Sequence, residues 1–201
     1  MGRYPKSERS AALIVQSALR VLARKGHART SLHDIAVEAG MSKGAVHYHF
    51  PTKDALVRAV LEHACDTVAR RTLEAWSRGN DPLSALRAAI EELWRVRAER
   101  TDEVRVIADL LAHSQHDATL RPSLADYYRY AAAQSHEHLM KHLVAAGLRP
   151  RVPAELLPRL LLGLLDGLLM QVFVDPDALR HEDVVAAVLA IATALFEPAT
   201  P

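Results

Sequence analysis

The chain has 201 residues, half of them apolar, with 25 Lys/Arg against 24 Asp/Glu and a single cysteine. That balance supplies ample core for one domain, or for a small domain joined to a larger one, and argues against disorder. One cysteine, Cys65, excludes an intramolecular disulfide and a thiolate metal cluster.

The opening Met-Gly-Arg-Tyr-Pro-Lys is polar and lacks the apolar core of a signal peptide, so a cytoplasmic protein is expected. From about residue 7 to 25, Ala11, Ala12, Ile14, Val15, Ala18, Leu19 and Leu22 trace the apolar stripe of a first helix. Gly26 is its expected stop, with Arg24 and Lys25 against the negative end of the dipole. Ser31 then N-caps a short helix with Leu32, Ile35, Ala36 and Ala39 on one face, and Gly40 ends it, since glycine enters the left-handed conformation without a Cβ clash. Ser42 caps the next helix, Lys43 to Phe50, and Pro51 ends that one by pushing its predecessor out of the α region. Two short helices around a tight turn are the geometry of a helix-turn-helix, and double-stranded DNA is the partner it implies.

A fourth helix, with Thr52 as N-cap, runs from about 53 to Trp76 or Arg78 and connects this head to the rest. Gly79-Asn80-Asp81-Pro82 is the clearest break in the remainder of the chain. Helices are expected over about 82–99, 101–113 and 122–146, the last ending at Gly147. A linker with Pro150 and Pro153 precedes helices over about 154–173 and 180–196. The leucine-rich part of 156–174 is interrupted by Pro158, Arg159 and Asp166, and so reads as a buried soluble helix rather than a membrane span. No β-type alternation, phosphate loop or internal repeat competes, which predicts an all-α chain of about nine helices and no sheet.

Charge is divided unevenly. Residues 1–58 carry ten Lys/Arg (Arg3, Lys6, Arg9, Arg20, Arg24, Lys25, Arg29, Lys43, Lys53 and Arg58) against four acids, a net +6 that leaves −5 for the remainder. A basic head on an acidic body fits a polyanion-binding unit attached to a part that avoids DNA. Within the head, Lys53, Thr30 and Ser31 suit phosphate oxygens, Lys43 and His47 suit guanine acceptors, and Tyr48 and His49 suit the backbone or thymine methyl edges. Gly44 and Ala45 are small enough to let the helix approach the groove, and Phe50 is expected inside the head.

The run Thr30…Ile35-Ala36…Ala39-Gly40-Met41-Ser42-Lys43-Gly44…Tyr48-His49-Phe50…Lys53…Leu56 resembles the DNA-binding domain of the TetR family of bacterial transcriptional regulators, over about residues 7–58. Beyond it the likeness is one of length and helical character only. The resemblance implies a helix-turn-helix domain over 1–52 and a helical effector-binding and dimerisation domain over 53–201. It also supports DNA-contact roles for Thr30, Ser42, Lys43, Tyr48, His49 and Lys53. In such regulators a small molecule usually binds in the second domain and moves the fourth helix, so that the paired heads no longer fit the operator.

Specific recognition by such a head calls for two-fold pairing on a palindromic site. The segment Leu160–Met170, apolar nearly all round with Gly163 and Gly167 one turn apart, and the last helix with Val184, Val185, Val188, Leu189, Ala192 and Leu195, are the expected homodimer interface. Trp94, Tyr127, Tyr128, Asp166, Met170 and Phe173 are effector-binding candidates, and they suggest a hydrophobic or cationic small molecule. Asp166 is costly unless paired: it attracts a cation, bridges to Arg159, or lies exposed at the bundle end.

His138 and His142, four apart, and His113 and His116, three apart, have spacings that can hold zinc, but Gln134, Glu137 and Lys141 beside them suggest a solvated face. No metal and no cofactor are expected, and no catalytic constellation is present in the sequence. The expected function is a ligand-responsive, dimeric repressor; the alternatives are a ligand-independent DNA-binding protein and a metal sensor using the second-domain histidines.

Overall fold

In the computed structural model, residues 4–199 are described; the Met-Gly-Arg part of the N-terminal reading lies outside them. The described residues form nine α-helices: α1 (Tyr4–Lys25), α2 (Leu32–Glu38), α3 (Lys43–His49), α4 (Lys53–Trp76), α5 (Pro82–Ala98), α6 (Asp102–His113), α7 (Arg121–Ala145), α8 (Leu157–Val174) and α9 (His181–Ala194). The all-α expectation therefore holds, with bounds within about three residues of those read from periodicity. A single 3-10 turn, Ala118–Leu120, leads into α7.

The expectation of no sheet needs one correction. Strands β1 (Leu148–Pro150) and β2 (Phe196–Pro198) pair antiparallel, with Arg149 opposite Glu197. The Arg149 guanidinium meets the Glu197 carboxylate at 2.8 Å across the ribbon. Pro150 and Pro198 disguise both strands, because proline cannot donate to a ladder and is tolerated only in edge strands such as these.

The chain divides into two compact units. One comprises residues up to Thr67 together with Arg100–Tyr127. In it α1 packs on α2 and α6, and α2 packs on α3. Its buried side chains include Ile14, Ala18, Leu22, Ile35, Val46 and Leu56. On α1 these recur at helical spacing, so the stripe is largely as read. Ala12, however, is exposed, and Ser17 and Val21 take buried places instead.

The other unit comprises Val68–Glu99 and the chain from Tyr128 onward. There α5 packs on α8 and α9, and the core gathers Trp76, Leu86, Ile90, Trp94, Leu139, Leu143, Leu165, Val185 and Phe196. By length and composition alone α8 is apolar enough to cross a membrane. Here it buries Leu162, Leu165, Leu169 and Val172 against its neighbours. Glu92, a buried carboxylate on α5, is held by Arg71 at 2.8 Å and also by Arg78 and Arg95. Those guanidinium contacts outweigh the burial that opposes ionisation and keep its carboxyl below the usual range.

Candidate nucleic-acid interface

The helix-turn-helix is assembled by local hydrogen bonds that the sequence specifies almost completely. Ser31 has extended backbone dihedrals, and its Oγ accepts from the Asp34 amide while Asp34 Oδ2 accepts from the Ser31 amide, a reciprocal capping box. Lys25 Nζ donates to Asp34 Oδ1 at 2.6 Å, and this bond, ahead of those from Ser31, holds the Asp34 carboxyl far below the usual carboxylate range. At the turn the Gly40 amide donates to the Val37 carbonyl and the Met41 amide to the Ala36 carbonyl, with Gly40 at φ +63°. Side chains rarely adopt that conformation, which is why glycine stands there.

Ser42 then caps α3 by accepting from the Ala45 amide at 3.1 Å. Phe50 leaves the helix in extended geometry, as a residue before proline must. Val46 is fully buried and anchors α3 to the head. The opposite side of the helix presents Lys43, Gly44, His47 and Tyr48 to solvent, with Ala45 and His49 half-buried. Tyr48 is 79% exposed, its ring edge-on to His49. Phe50 is half-buried rather than enclosed in the head. An exposed large aromatic on a small, rigidly capped helix is poorly placed for stability and well placed for a partner.

The basic excess of the head is partly spent inside it. Arg20 and Arg24 both reach Glu38 at 3.0 Å and Lys25 reaches Asp34, so three cations of α1 hold α2 through ion pairs while their side chains stay in contact with solvent. Two expected phosphate contacts are also committed internally. Thr30 is buried and donates its hydroxyl to the Gly26 carbonyl at 2.8 Å, and Lys53 Nζ donates to the His27 carbonyl at 2.5 Å. Both sides of the α1–α2 turn are thereby tied down, because these carbonyls lie beyond the helical ladder of α1 and need donors. Ser31, Ser42, Lys43, Gly44 and Tyr48 remain exposed.

Sequence patterning does not reveal what α6 contributes to this unit. Asp109 Oδ2 accepts from the His27 amide at 2.6 Å, and its Oδ1 lies 3.3 Å from His113 Nδ1. The rings of His27 and His113 meet edge to face at 5.4 Å. Burial, and then the nearby Lys53, keep the His27 imidazole below its ordinary pKa despite Asp109 and Asp117. No sequence signal links positions 27 and 109. Only Gly26, at φ +77° beside the Asp109 carboxylate, hints that this turn is approached closely.

In the second unit the effector candidates are scattered. Asp166 is paired with Arg97, at 2.7 Å, and accepts from the Tyr128 hydroxyl at 2.9 Å, so its partner is Arg97 and not the exposed Arg159. Trp94 is buried with an unpartnered Nε1. Phe173 is half-buried, and Met170 is exposed on α8 because it follows buried Leu169 by one residue, a rotation of about 100° off the helix's buried line. Tyr127 falls in the first unit. A cavity of about 240 Å³ in the second unit is lined by none of these six; Trp76, Asp81, Leu86, His142, Leu143 and Phe196 are among the residues that form it. His142 stacks on Trp76, and His138 Nδ1 hydrogen-bonds to the Gln134 carbonyl oxygen; among the described residues no three metal-ligating side chains come together.

Comparison with known proteins places these observations in a family. Residues 14–60 match the bacterial regulatory proteins of the tetR family, and residues 82–197 match the C-terminal region of BetI-type transcriptional repressors. The chain is 36% identical over 90 residues to the HTH-type transcriptional regulator YuxN of Bacillus subtilis, a match spanning 45% of this chain and 31% of that protein. It is 28% identical over 172 residues to the nicotine-responsive transcriptional repressor HdnoR of Paenarthrobacter nicotinovorans, covering 85% of this chain and 87% of that one. Its fold is that of a TetR transcription regulator from Haloarcula marismortui, with a TM-score of 0.79, 22% identity and coverage of 94% and 100%.

Proposed function

The chain belongs to the TetR family of bacterial transcriptional regulators, and we propose that it acts as a homodimeric repressor released from a palindromic operator by a small-molecule effector. It is a DNA-binding regulator and not an enzyme, as the members of this family are. The observation that carries the proposal is the outward face of α3, where Lys43, Gly44, His47 and Tyr48 are exposed on a helix capped at both ends. Such a face supplies a cation for phosphate or guanine, small residues for close approach and an aromatic for the groove wall. The proposed division of labour gives residues 1–52 to DNA and 53–201 to the effector and the dimer, in a cytoplasmic protein.

Dimerisation through α8 and α9 is supported by the apolar surface these helices expose. Leu160, Met170 and Val174 on α8 and Ile191 on α9 stand in solvent, and Gly163 and Gly167 have open space where a Cβ would lie. A helix apolar on both sides needs a second covering surface. The HdnoR relative supports a small-molecule effector, being named for its response to nicotine. Selection of bound sequences from random DNA, repeated with candidate ligands, tests the proposal. Enrichment of a palindrome whose retention falls with one ligand is expected; failure to enrich any palindromic site overturns it.

A further inference from the structure

No functional motif marks the end of α4, the start of α5 or the end of α7, yet these three segments and the β1–β2 ribbon line a cavity of about 240 Å³ that is partly open to solvent. Its wall is apolar over Leu83, Leu86, Leu139, Leu143, Leu148 and Phe196. An apolar cavity of about 150 Å³ takes up a benzene, so this one has room for an aromatic ring with a short substituent, roughly ten non-hydrogen atoms. The size is near the lower end of small-molecule sites, about 300 Å³.

The polar groups at this cavity are few and uneven in charge. Asp81 is the one acid among the described lining residues, and no Lys or Arg lines it. Both amides that Asp81 caps, those of Leu83 and Ser84, donate to Oδ1, which leaves Oδ2 outside the cap. Hydrogen bonds from the Ser84 side chain and amide hold this carboxyl below its ordinary pKa, so it is an anion at neutral pH. His142 lies nearly parallel to Trp76, at 5.3 Å and 12°. Burial, followed by Lys141 and His138, keeps its imidazole below the usual pKa and therefore uncharged. The cavity thus combines an apolar body, a stacked aromatic pair and one negative charge, with no Lys or Arg among its described lining residues.

We propose that this cavity binds a small hydrophobic cation, an arylalkyl amine, with the ammonium group facing the Asp81 carboxylate and the apolar body among Leu86, Leu143 and Phe196. The inference rests on the reading that the second unit takes an effector, and it moves that site away from Asp166, whose charge Arg97 already meets. Trp76 is also the last residue of α4, the helix whose first residue, Lys53, ties down the α1–α2 turn of the head. A ligand against Trp76 therefore touches the connecting helix itself.

Calorimetric titration of the full chain, without DNA, tests the site. The probes are phenethylamine and its neutral counterpart of the same size, 2-phenylethanol. The amine is expected to bind more tightly than the alcohol. Asp81→Asn keeps the helix cap, since asparagine caps as well as aspartate, and is expected to weaken the amine about fivefold while leaving the alcohol unchanged. Ala145→Trp, at an exposed lining position, is expected to block both. No binding of the amine, equal binding of amine and alcohol, or an Asp81→Asn protein that binds the amine as before overturns the proposal. Failure of the effector reading is separate: the amine then binds as described, the site stands, and operator retention does not change.

Discussion

Asp166 Oδ1 accepts from both Arg97 Nη2, at 2.7 Å, and Arg97 Nε, at 3.0 Å, so the acid inside the apolar α8 is neutralised by a residue on α5. The Arg97 side chain is only 4% exposed, against 26% for Asp166. Truncating the acid takes the carboxylate away from a buried cation, which costs about 3–5 kcal/mol in a dry site and less here, about 2–3 kcal/mol, because water reaches Asp166. Asp166→Ala is expected to lower the stability measured by urea unfolding by that amount. Arg159→Ala is expected to stay within about 0.5 kcal/mol, and a larger loss there would reverse the assignment of the pair.

DNA contacts and internal contacts in the head separate by salt dependence. Lys43 is exposed and Thr30 is buried with its hydroxyl bonded to Gly26. Lys43→Ala is expected to leave stability unchanged and to reduce the slope of log affinity against log salt by about 1. Thr30→Val is expected to cost about 1 kcal/mol of stability with no change in that slope. Fluorescence anisotropy on operator DNA at several salt concentrations, with urea unfolding beside it, checks both.

The two turn glycines differ in why they are needed. Gly40 has φ +63° and open space around it, so Gly40→Ala carries only the left-handed backbone cost, about 1–2 kcal/mol. A Cβ on Gly79 would lie 2.2 Å from the Ala85 amide nitrogen, and backbone must move to admit it. Gly79→Ala is therefore expected to be the more damaging, by about 3 kcal/mol, in thermal denaturation. Equal losses would show that crowding at Gly79 relaxes freely.

Acid weakens the head through His27. Its folded pKa lies below the ordinary value of 6.5 because of burial first and Lys53 second, so the unfolded chain binds the proton more readily. Stability is then fully present above about pH 6.5 and falls as the pH drops through 6.5 toward the folded pKa. His142 in the other unit has the same sign, so the comparison is between the wild type and His27→Gln. The variant is expected to show a shallower loss between about pH 7 and pH 5 in urea unfolding of the head; parallel curves would exclude His27 as the source.

The helix-turn-helix was legible because its determinants are local. Ser31, Gly40, Ser42 and Pro51 each act on backbone within four residues, and the structure finds each doing so. The helix count followed from periodicity for the same reason. The ribbon at 148–150 and 196–198 did not, since prolines mask each strand and its partner lies far along the chain.

For the rest, tertiary structure decided. The amino-acid sequence by itself determined an all-α fold and the caps and turn of the helix-turn-helix, because caps, turn residues and helical spacing operate at short range. Only the folded chain determined that Asp166 pairs with Arg97, that Lys53 and Thr30 are turned inward, and that the cavity lies beside Trp76 and Asp81. Those outcomes depend on which distant side chains share a buried volume, where desolvation makes each charge find a partner, and no local pattern encodes that choice.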